Sequence, residues 1–154
     1  MTTTSLKQRL QNDLTAAMKS RDELRSATIR LTLTAITKEE VAGTSARQLS
    51  DDEVLAVITR EAKKRREAAE AFAQGGRTES AEREKAEGVL LAEYLPKQLT
   101  DEELAEIVRA AIAESGAEGP RAMGAVMKVA GPKVAGLAEG GRVAAEVKRQ
   151  LAAG

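Results

Sequence analysis

Apolar residues recur every three or four positions along most of this chain, which is the spacing of amphipathic helices. The first stripe predicts a helix from about Ser5 to about Ser20, with Leu6, Leu10, Leu14 and Met18 on its buried face. A second helix should follow Asp22, a suitable N-cap, and end near Gly43. Its predicted buried stripe consists of Leu24, Ala27, Leu31, Ala35 and Lys38, widened by Ile29, Leu33 and Ile36. The β-branched run within it also resembles a strand, but no partner strand is present, so a helix is favoured.

Two further helices are predicted before residue 96. Ser50 and Glu53 have the spacing of a capping box, so a long helix should begin there and end at Gly75-Gly76, where left-handed backbone is permitted. Thr78 should open the next helix, which Pro96 stops because proline biases the preceding residue away from helical geometry. The apolar stripes of these two helices are Val54, Leu55, Ile58, Ala62, Ala69 and Phe72, then Ala81, Leu91 and Leu95.

The pattern restarts after Pro96 with shorter helices and more glycine. Thr100 and Glu103 form a second capping box, and this helix should end near Gly116. Two short helices follow, one entered at Gly119-Pro120 and broken at Gly131-Pro132, the other opened around Gly140-Gly141. We therefore predict an all-α protein with about four longer helices in an N-terminal domain, residues 1–96, and a three-helix C-terminal module, residues 97–154.

Composition removes several classes of function. The chain contains no cysteine and no histidine, so disulfides, thiolate nucleophiles and the usual zinc ligands are absent. Lys plus Arg and Asp plus Glu both number 24, so any polyanion must be bound by a local patch. Phe72 and Tyr94 are the only aromatics, which disfavours a stacking platform for single-stranded RNA. No leader pattern and no apolar run of about 18 residues is present, so we expect a cytoplasmic protein without a membrane partner.

The sequence offers no catalytic centre, metal site or cofactor site. A serine amidase needs an activated serine in a Gly- and Ser-rich loop, and the nearest segment, Gly43–Ala46, lacks that serine-rich run. The carboxylate runs that begin at Asp51 and Asp101 lie in first helical turns, where they complement the helix dipole, so capping is favoured over metal binding. No phosphate-binding loop of Walker type is present. We therefore predict no catalytic residue, no metal and no cofactor.

The densest positive run, from Arg60 to Arg66, could bind phosphates but is better interpreted as a solvated helix face. Carboxylates at helical spacing would neutralise it through the pairs Glu61–Arg65, Lys63–Glu67 and Arg66–Glu70.

The region from Gly119 onward is the better candidate for a polyanion. It contains six Lys and Arg against two Glu, a net charge of +4. Candidate contacts with an RNA backbone are Lys128, Lys133, Arg142 and Lys148, and Gly124 marks a close approach of another helix or a ligand. The alternative, that cations near helix ends only complement helix dipoles, stays open.

Several segments resemble a known family. They are Leu24-Arg25, the segment Val57–Arg77, Glu84, "LLAEYLPKQLTDEEL" from Leu90, "AMGAVMK" from Ala122 and "GLAEGGRVAAEVKRQL" from Gly136. On these residues the chain resembles, nearly end to end, the GatB/YqeY family. YqeY-like proteins are small stand-alone proteins whose C-terminal part is similar to the tail domain of the B subunit of the tRNA-dependent amidotransferase.

The resemblance implies an all-helical, two-part architecture and an association with glutamine-dependent carbon–nitrogen ligase activity. It implies tRNA, amidotransferase components and aminoacyl-tRNA synthetase components as expected partners, in translation. The chain departs from the family motif at Ala122, at Ala125 and in the turn Gly136–Gly140, where two positive charges are missing from the supposed contact surface. Two hypotheses follow: a non-catalytic accessory protein that contacts tRNA through its C-terminal module, or a protein-interaction module that uses the Arg25–Ile36 face of the N-terminal helices without binding RNA. A third, a true amidase or ligase, is disfavoured because the sequence offers no nucleophile with its base.

Overall fold

The computed structural model of this protein describes residues 4–116 and 118–153. Every regular element within those residues is helical, so the all-α prediction is confirmed. The described residues up to Leu95 form one compact unit, and those from Pro96 onward form another. The α-helices are α1 (Leu6–Lys19), α2 (Glu23–Glu40), α3 (Asp51–Gln74), α4 (Thr78–Ala92), α5 (Asp101–Ser115), α6 (Met123–Val134) and α7 (Gly140–Ala153), and a short 3-10 helix (Pro120–Ala122) precedes α6.

The predicted caps set the helix starts. The Ser50 hydroxyl accepts from the Glu53 backbone N–H at 3.2 Å, and the Glu53 carboxylate accepts from the Ser50 N–H at 3.1 Å. Thr100 and Glu103 repeat this capping box at the start of α5, with distances of 3.1 and 2.9 Å. Asp22 caps α2. Because each box satisfies two backbone N–H donors at a helix terminus, these starts are defined locally by sequence.

Glycines end two of the helices as predicted. Gly76, just after α3, has φ +77°, and Gly116, the C-cap of α5, has φ +65°, a conformation that costs a non-glycine residue free energy. The predicted break at Gly131-Pro132 is wrong, because α6 continues through Pro132 to Val134. Proline there lies in the last helical turn, so its missing N–H removes a single hydrogen bond from a helix that ends two residues later.

The N-terminal unit packs α1–α4 around one apolar core. Its buried members are Leu10, Ile29, Ile36, Val54, Val57, Ile58, Leu91 and Tyr94. The predicted stripe of α1 holds at Leu10, with Leu6 and Leu14 partly buried against the core, but Met18 is 52% exposed.

The predicted buried face of α2 is confirmed at Ile29 and Ile36, and Leu33 and Ala35 pack partly buried against the core, but the prediction is wrong at Leu31 and Lys38. Leu31 is 49% exposed, whereas Ser26, Thr28 and Thr32 are buried beside Ile29. The hydroxyls of Thr28 and Thr32 donate to backbone carbonyls four residues earlier, at 2.8 and 2.9 Å. Because these bonds satisfy the hydroxyls inside the helix itself, residues that count as polar in a hydrophobicity pattern can face the core.

The C-terminal unit packs α5, α6 and α7 around a second core. Its buried members are Leu104, Val108, Ala111, Ala122, Val126, Ala130, Val134, Val143, Val147 and Leu151. The buried residues of α7 are Val143, Val147 and Leu151, which lie four positions apart on one helix face. Since these helices bury their apolar faces against each other, their charged residues lie on the outer faces.

None of the helices in residues 4–116 and 118–153 combines the length and hydrophobicity that crossing a lipid bilayer requires.

Candidate RNA-contacting surface

Arg142, a predicted RNA contact, is held by the start of α5. Its Nη2 donates to the Leu99 carbonyl at 3.0 Å and to the Asp101 carboxylate at 2.9 Å. Its side chain is 30% exposed, so the guanidinium is partly withdrawn from solvent. The Leu99 backbone N–H also donates to the Leu137 carbonyl at 2.8 Å. Arg142 therefore ties the first turn of α7 to the start of α5.

Lys133 is also engaged with a carboxylate. Its Nζ lies 2.8 Å from Glu114 of α5, in a pair whose side chains are 46% and 60% exposed. Solvent screening makes such a pair weak, so a phosphate could displace Glu114 at small cost. The carboxylates of α5 thus reduce the positive potential expected from the net charge of +4 in the region from Gly119 onward.

Lys128 and Lys148 differ from the other two cations. Both side chains are exposed, and the described residues supply no carboxylate within ion-pair distance of either. At 100° per residue, Lys128 and Lys133 point about 140° apart around α6, and Arg142 and Lys148 point about 120° apart around α7. The four cations are therefore distributed around their helices, and two of them are unpaired.

Gly124 lies on the exposed side of α6, and a β-carbon added there would meet nothing within 4 Å. The predicted close approach of a neighbouring helix is therefore wrong for the described chain. A ligand that approaches Gly124 from solvent stays a prediction.

The carboxylate runs have the structural role predicted for them. Glu53 and Glu103 complete their capping boxes, and the backbone N–H of the cap residue lowers the pKa of each carboxyl. Asp51 accepts from the Leu6 backbone N–H at 3.0 Å, which links α3 to the start of α1. Across residues 4–116 and 118–153, no group of three His, Cys, Asp or Glu side chains is arranged to hold a metal ion.

The cationic run on α3 contains a buried network that the sequence did not reveal. Arg65 does not pair with Glu61 as predicted; its Nη1 lies 3.3 Å from Glu84 and 3.5 Å from Glu87, both on α4. Glu61 pairs instead with Lys64 at 3.1 Å. The predicted pair of Lys63 with Glu67 is present at 3.8 Å.

This network lies inside the α3/α4 hairpin. The side chains of Glu87 and Glu84 are 6% and 17% exposed, and Arg83 also reaches Glu87 at 3.3 Å. Burial raises the pKa of Glu84, and the Arg65 charge opposes that shift. Glu84 Oε2, Glu87 Oε2 and Arg65 Nε are buried without a hydrogen-bond partner, so these groups interact mainly as charges. A helical-spacing rule cannot find such a network, because its partners lie on different helices.

The Tyr-Leu-Pro segment has a clear structural role. The buried Tyr94 hydroxyl donates to the Asp13 carboxylate, and the Arg9 guanidinium lies 4.7 Å from the ring centroid. Arg25 pairs with the neighbouring Glu93 at 2.9 Å. These contacts attach the chain beyond α4 to α1 and α2 within the N-terminal unit.

The chain matches a known protein family. The model of a family described as Yqey-like protein matches residues 7–151, nearly the whole chain, which confirms the resemblance to stand-alone YqeY-like proteins. No curated protein matches this chain.

Proposed function

This chain belongs to the YqeY-like protein family, and from that premise we propose that it is a non-catalytic accessory protein of tRNA-dependent amidation. In this proposal its C-terminal unit contacts the tRNA backbone, while amidotransferase or aminoacyl-tRNA synthetase components supply the carbon–nitrogen ligase chemistry. The proposal requires binding rather than an active site. It is consistent with a sequence that lacks cysteine, histidine and an activated serine.

The observation that supports RNA contact best is the pair of exposed lysines on the C-terminal unit. Lys128 on α6 and Lys148 on α7 are without carboxylate partners among the described residues, in a segment with a net charge of +4. Unpaired lysines release counterions from a nucleic acid without first breaking a protein ion pair. Gly124, four residues before Lys128, leaves open space at the helix surface.

Lys133 and Arg142 have a secondary role in this proposal. A phosphate could exchange with Glu114 at Lys133, since that pair is exposed. Arg142 would keep its bond to the Leu99 carbonyl and share its charge with a phosphate. Contacts of this type recognise the backbone and shape of an RNA rather than its base sequence.

Charge reversal tests the proposal. We expect the double variant Lys128→Glu/Lys148→Glu to bind tRNA at least about tenfold more weakly than the natural chain at low salt. The matched control is Lys63→Glu/Lys85→Glu, two exposed lysines of the N-terminal unit, for which we expect a change within about twofold. Fluorescence anisotropy with labelled tRNA measures both, and circular dichroism checks that each variant is folded. Equal losses in the two variants would refute contact through the C-terminal unit.

A further inference from the structure

The N-terminal unit leaves an apolar groove open between α1 and α2. Leu14 and Leu33 lie partly buried against the core and form its floor, and Val41, directly after α2, forms one side with 58% of its surface exposed. Thr34 and Thr37 line the groove between them. Four large hydrophobic residues are exposed among the described residues, and three of them belong to this part of the unit. Met18 lies on α1, Leu31 lies on α2 and Val41 directly follows α2.

The edge of this groove is cationic. Arg30 and Lys38 line it, and both are exposed. The two carboxylates at the end of α2 are already engaged, because Glu39 pairs with Arg60 and Glu40 with Lys7, each at 2.9 Å. Within the described chain, neither Arg30 nor Lys38 has a carboxylate in ion-pair distance. An apolar floor beside two uncompensated positive charges is therefore available to a partner of opposite charge.

We propose that this groove docks an amphipathic helix of a protein partner, with an apolar stripe on the floor and acidic residues against Arg30 and Lys38. Helix-in-groove recognition uses this combination of apolar anchors and flanking charges. The groove shares no residue with the lysines proposed to contact tRNA, so variants of the two surfaces test the two proposals independently.

Other occupants fit the groove less well. A second copy docking symmetrically would place Arg30 and Lys38 near the same residues of its partner, and like charges oppose such contact. Single-stranded nucleic acid needs aromatic rings for stacking, and the two aromatics of the chain, Phe72 and Tyr94, do not line this groove. Binding to a bilayer requires a stripe of protruding apolar side chains, whereas among the apolar residues that line this groove only Val41 protrudes and Leu14 and Leu33 are recessed.

A pair of synthetic helices tests the proposal with the full chain. The first is a peptide of about 18 residues, with leucine at helical spacing on one face and glutamate on both flanks. The second has lysine in place of every glutamate. Titration calorimetry measures the binding of each to the natural chain, to Arg30→Glu/Lys38→Glu, to Val41→Ser and to the control Lys63→Glu/Lys85→Glu.

We expect the glutamate peptide to bind and the lysine peptide to bind at least about tenfold more weakly. Reversal of Arg30 and Lys38 should invert that preference, Val41→Ser should weaken both peptides, and the control should leave them within about twofold. Binding of tRNA should be unchanged in all three variants. The proposal is overturned if the glutamate peptide shows no saturable binding, or if both peptides bind equally. Two further measurements on the natural chain test the other occupants: binding to phosphatidylserine vesicles and self-association. The proposal is also overturned if Arg30→Glu/Lys38→Glu abolishes binding to the vesicles but not to the peptide. It is likewise overturned if the chain self-associates and Val41→Ser abolishes that self-association.

Discussion

Replacement of Arg65 by alanine should destabilise the N-terminal unit by about 3 kcal/mol at neutral pH. The substitution leaves Glu84 and Glu87 inside the α3/α4 hairpin without the cation that lies between them. Glu87 keeps Arg83, which is 3.3 Å away and half exposed, so part of its charge stays compensated.

The magnitude follows from the geometry. A unit-charge pair near 4 Å gains about 4 kcal/mol at an effective dielectric constant of about 20, and Arg65 makes two such contacts at 3.3 and 3.5 Å. Desolvation of Arg65, whose side chain is 21% exposed, offsets much of this gain in the natural chain. Loss of one partner from a buried pair has a typical cost of about 3–5 kcal/mol, and residual exposure places this case at the lower end.

Urea unfolding followed by the fluorescence of Tyr94 measures this change. Tyr94 is the only tyrosine, the chain has no tryptophan, and the residue is buried in the N-terminal core, so the signal reports on that unit. With a slope of about 1.5 kcal/mol per molar urea, 3 kcal/mol moves the midpoint by about 2 M. The control is Lys85→Ala, whose pair with Glu82 at 3.4 Å is exposed and should contribute no more than about 0.5 kcal/mol.

A double-mutant cycle separates charge from packing. In a Glu84→Gln/Glu87→Gln background, Arg65→Ala should cost about 1 kcal/mol or less, since no carboxylate is left unpaired. The penalty should also shrink as pH falls, because burial raises the pKa of Glu84 and Arg65→Ala removes the charge that opposes this shift. An Arg65→Ala penalty that matches Lys85→Ala, or that is equal in both backgrounds, would refute the charge network.

Two further predictions concern the N-terminal unit. Tyr94→Phe should lower the free energy of unfolding by about 1.5–3 kcal/mol in thermal melts followed by circular dichroism, because the Asp13 carboxylate loses a hydrogen bond; an unchanged melting temperature would contradict the anchoring role of Tyr94. Burial raises the pKa of Glu84 above its ordinary value of 4.5, so the folded state binds the proton of the Glu84 carboxyl more tightly than the unfolded state does. The stability that this protonation contributes is fully present below the unfolded pKa and is lost as pH rises through the raised pKa. Urea midpoints of the natural chain should therefore fall relative to those of Glu84→Gln as pH increases above 4.5, and parallel pH profiles would refute this.

Helix boundaries were the most predictable part of the fold. The capping boxes at Ser50 and Thr100 and the glycines at Gly76 and Gly116 act within a few residues, so local sequence determines them. The break at Pro132 was predicted wrongly because the rule for proline in a helix interior does not account for its position in the last turn.

Contacts between helices were less predictable. The buried face of α2 includes Thr28 and Thr32, whose hydroxyls are satisfied by their own helix, so a pattern based on apolar residues selected the exposed Leu31 instead. Arg65 has a carboxylate at helical spacing, yet it reaches across to α4, where burial strengthens the ion pair. The ion pairs of the candidate RNA surface were equally hard to predict from sequence, because the pairing of Lys133 and Arg142 with α5 depends on tertiary packing.

The salt dependence of tRNA binding by the full natural chain tests the central proposal most directly. Two phosphate contacts, from Lys128 and Lys148, give a slope of log K against log salt of about −1.5, or about an eightfold loss of affinity between 50 and 200 mM salt. We expect that slope, and a slope closer to zero for Lys128→Glu/Lys148→Glu. The absence of a complex at low salt, or an affinity that does not change with salt, would contradict the proposal that the C-terminal unit contacts tRNA.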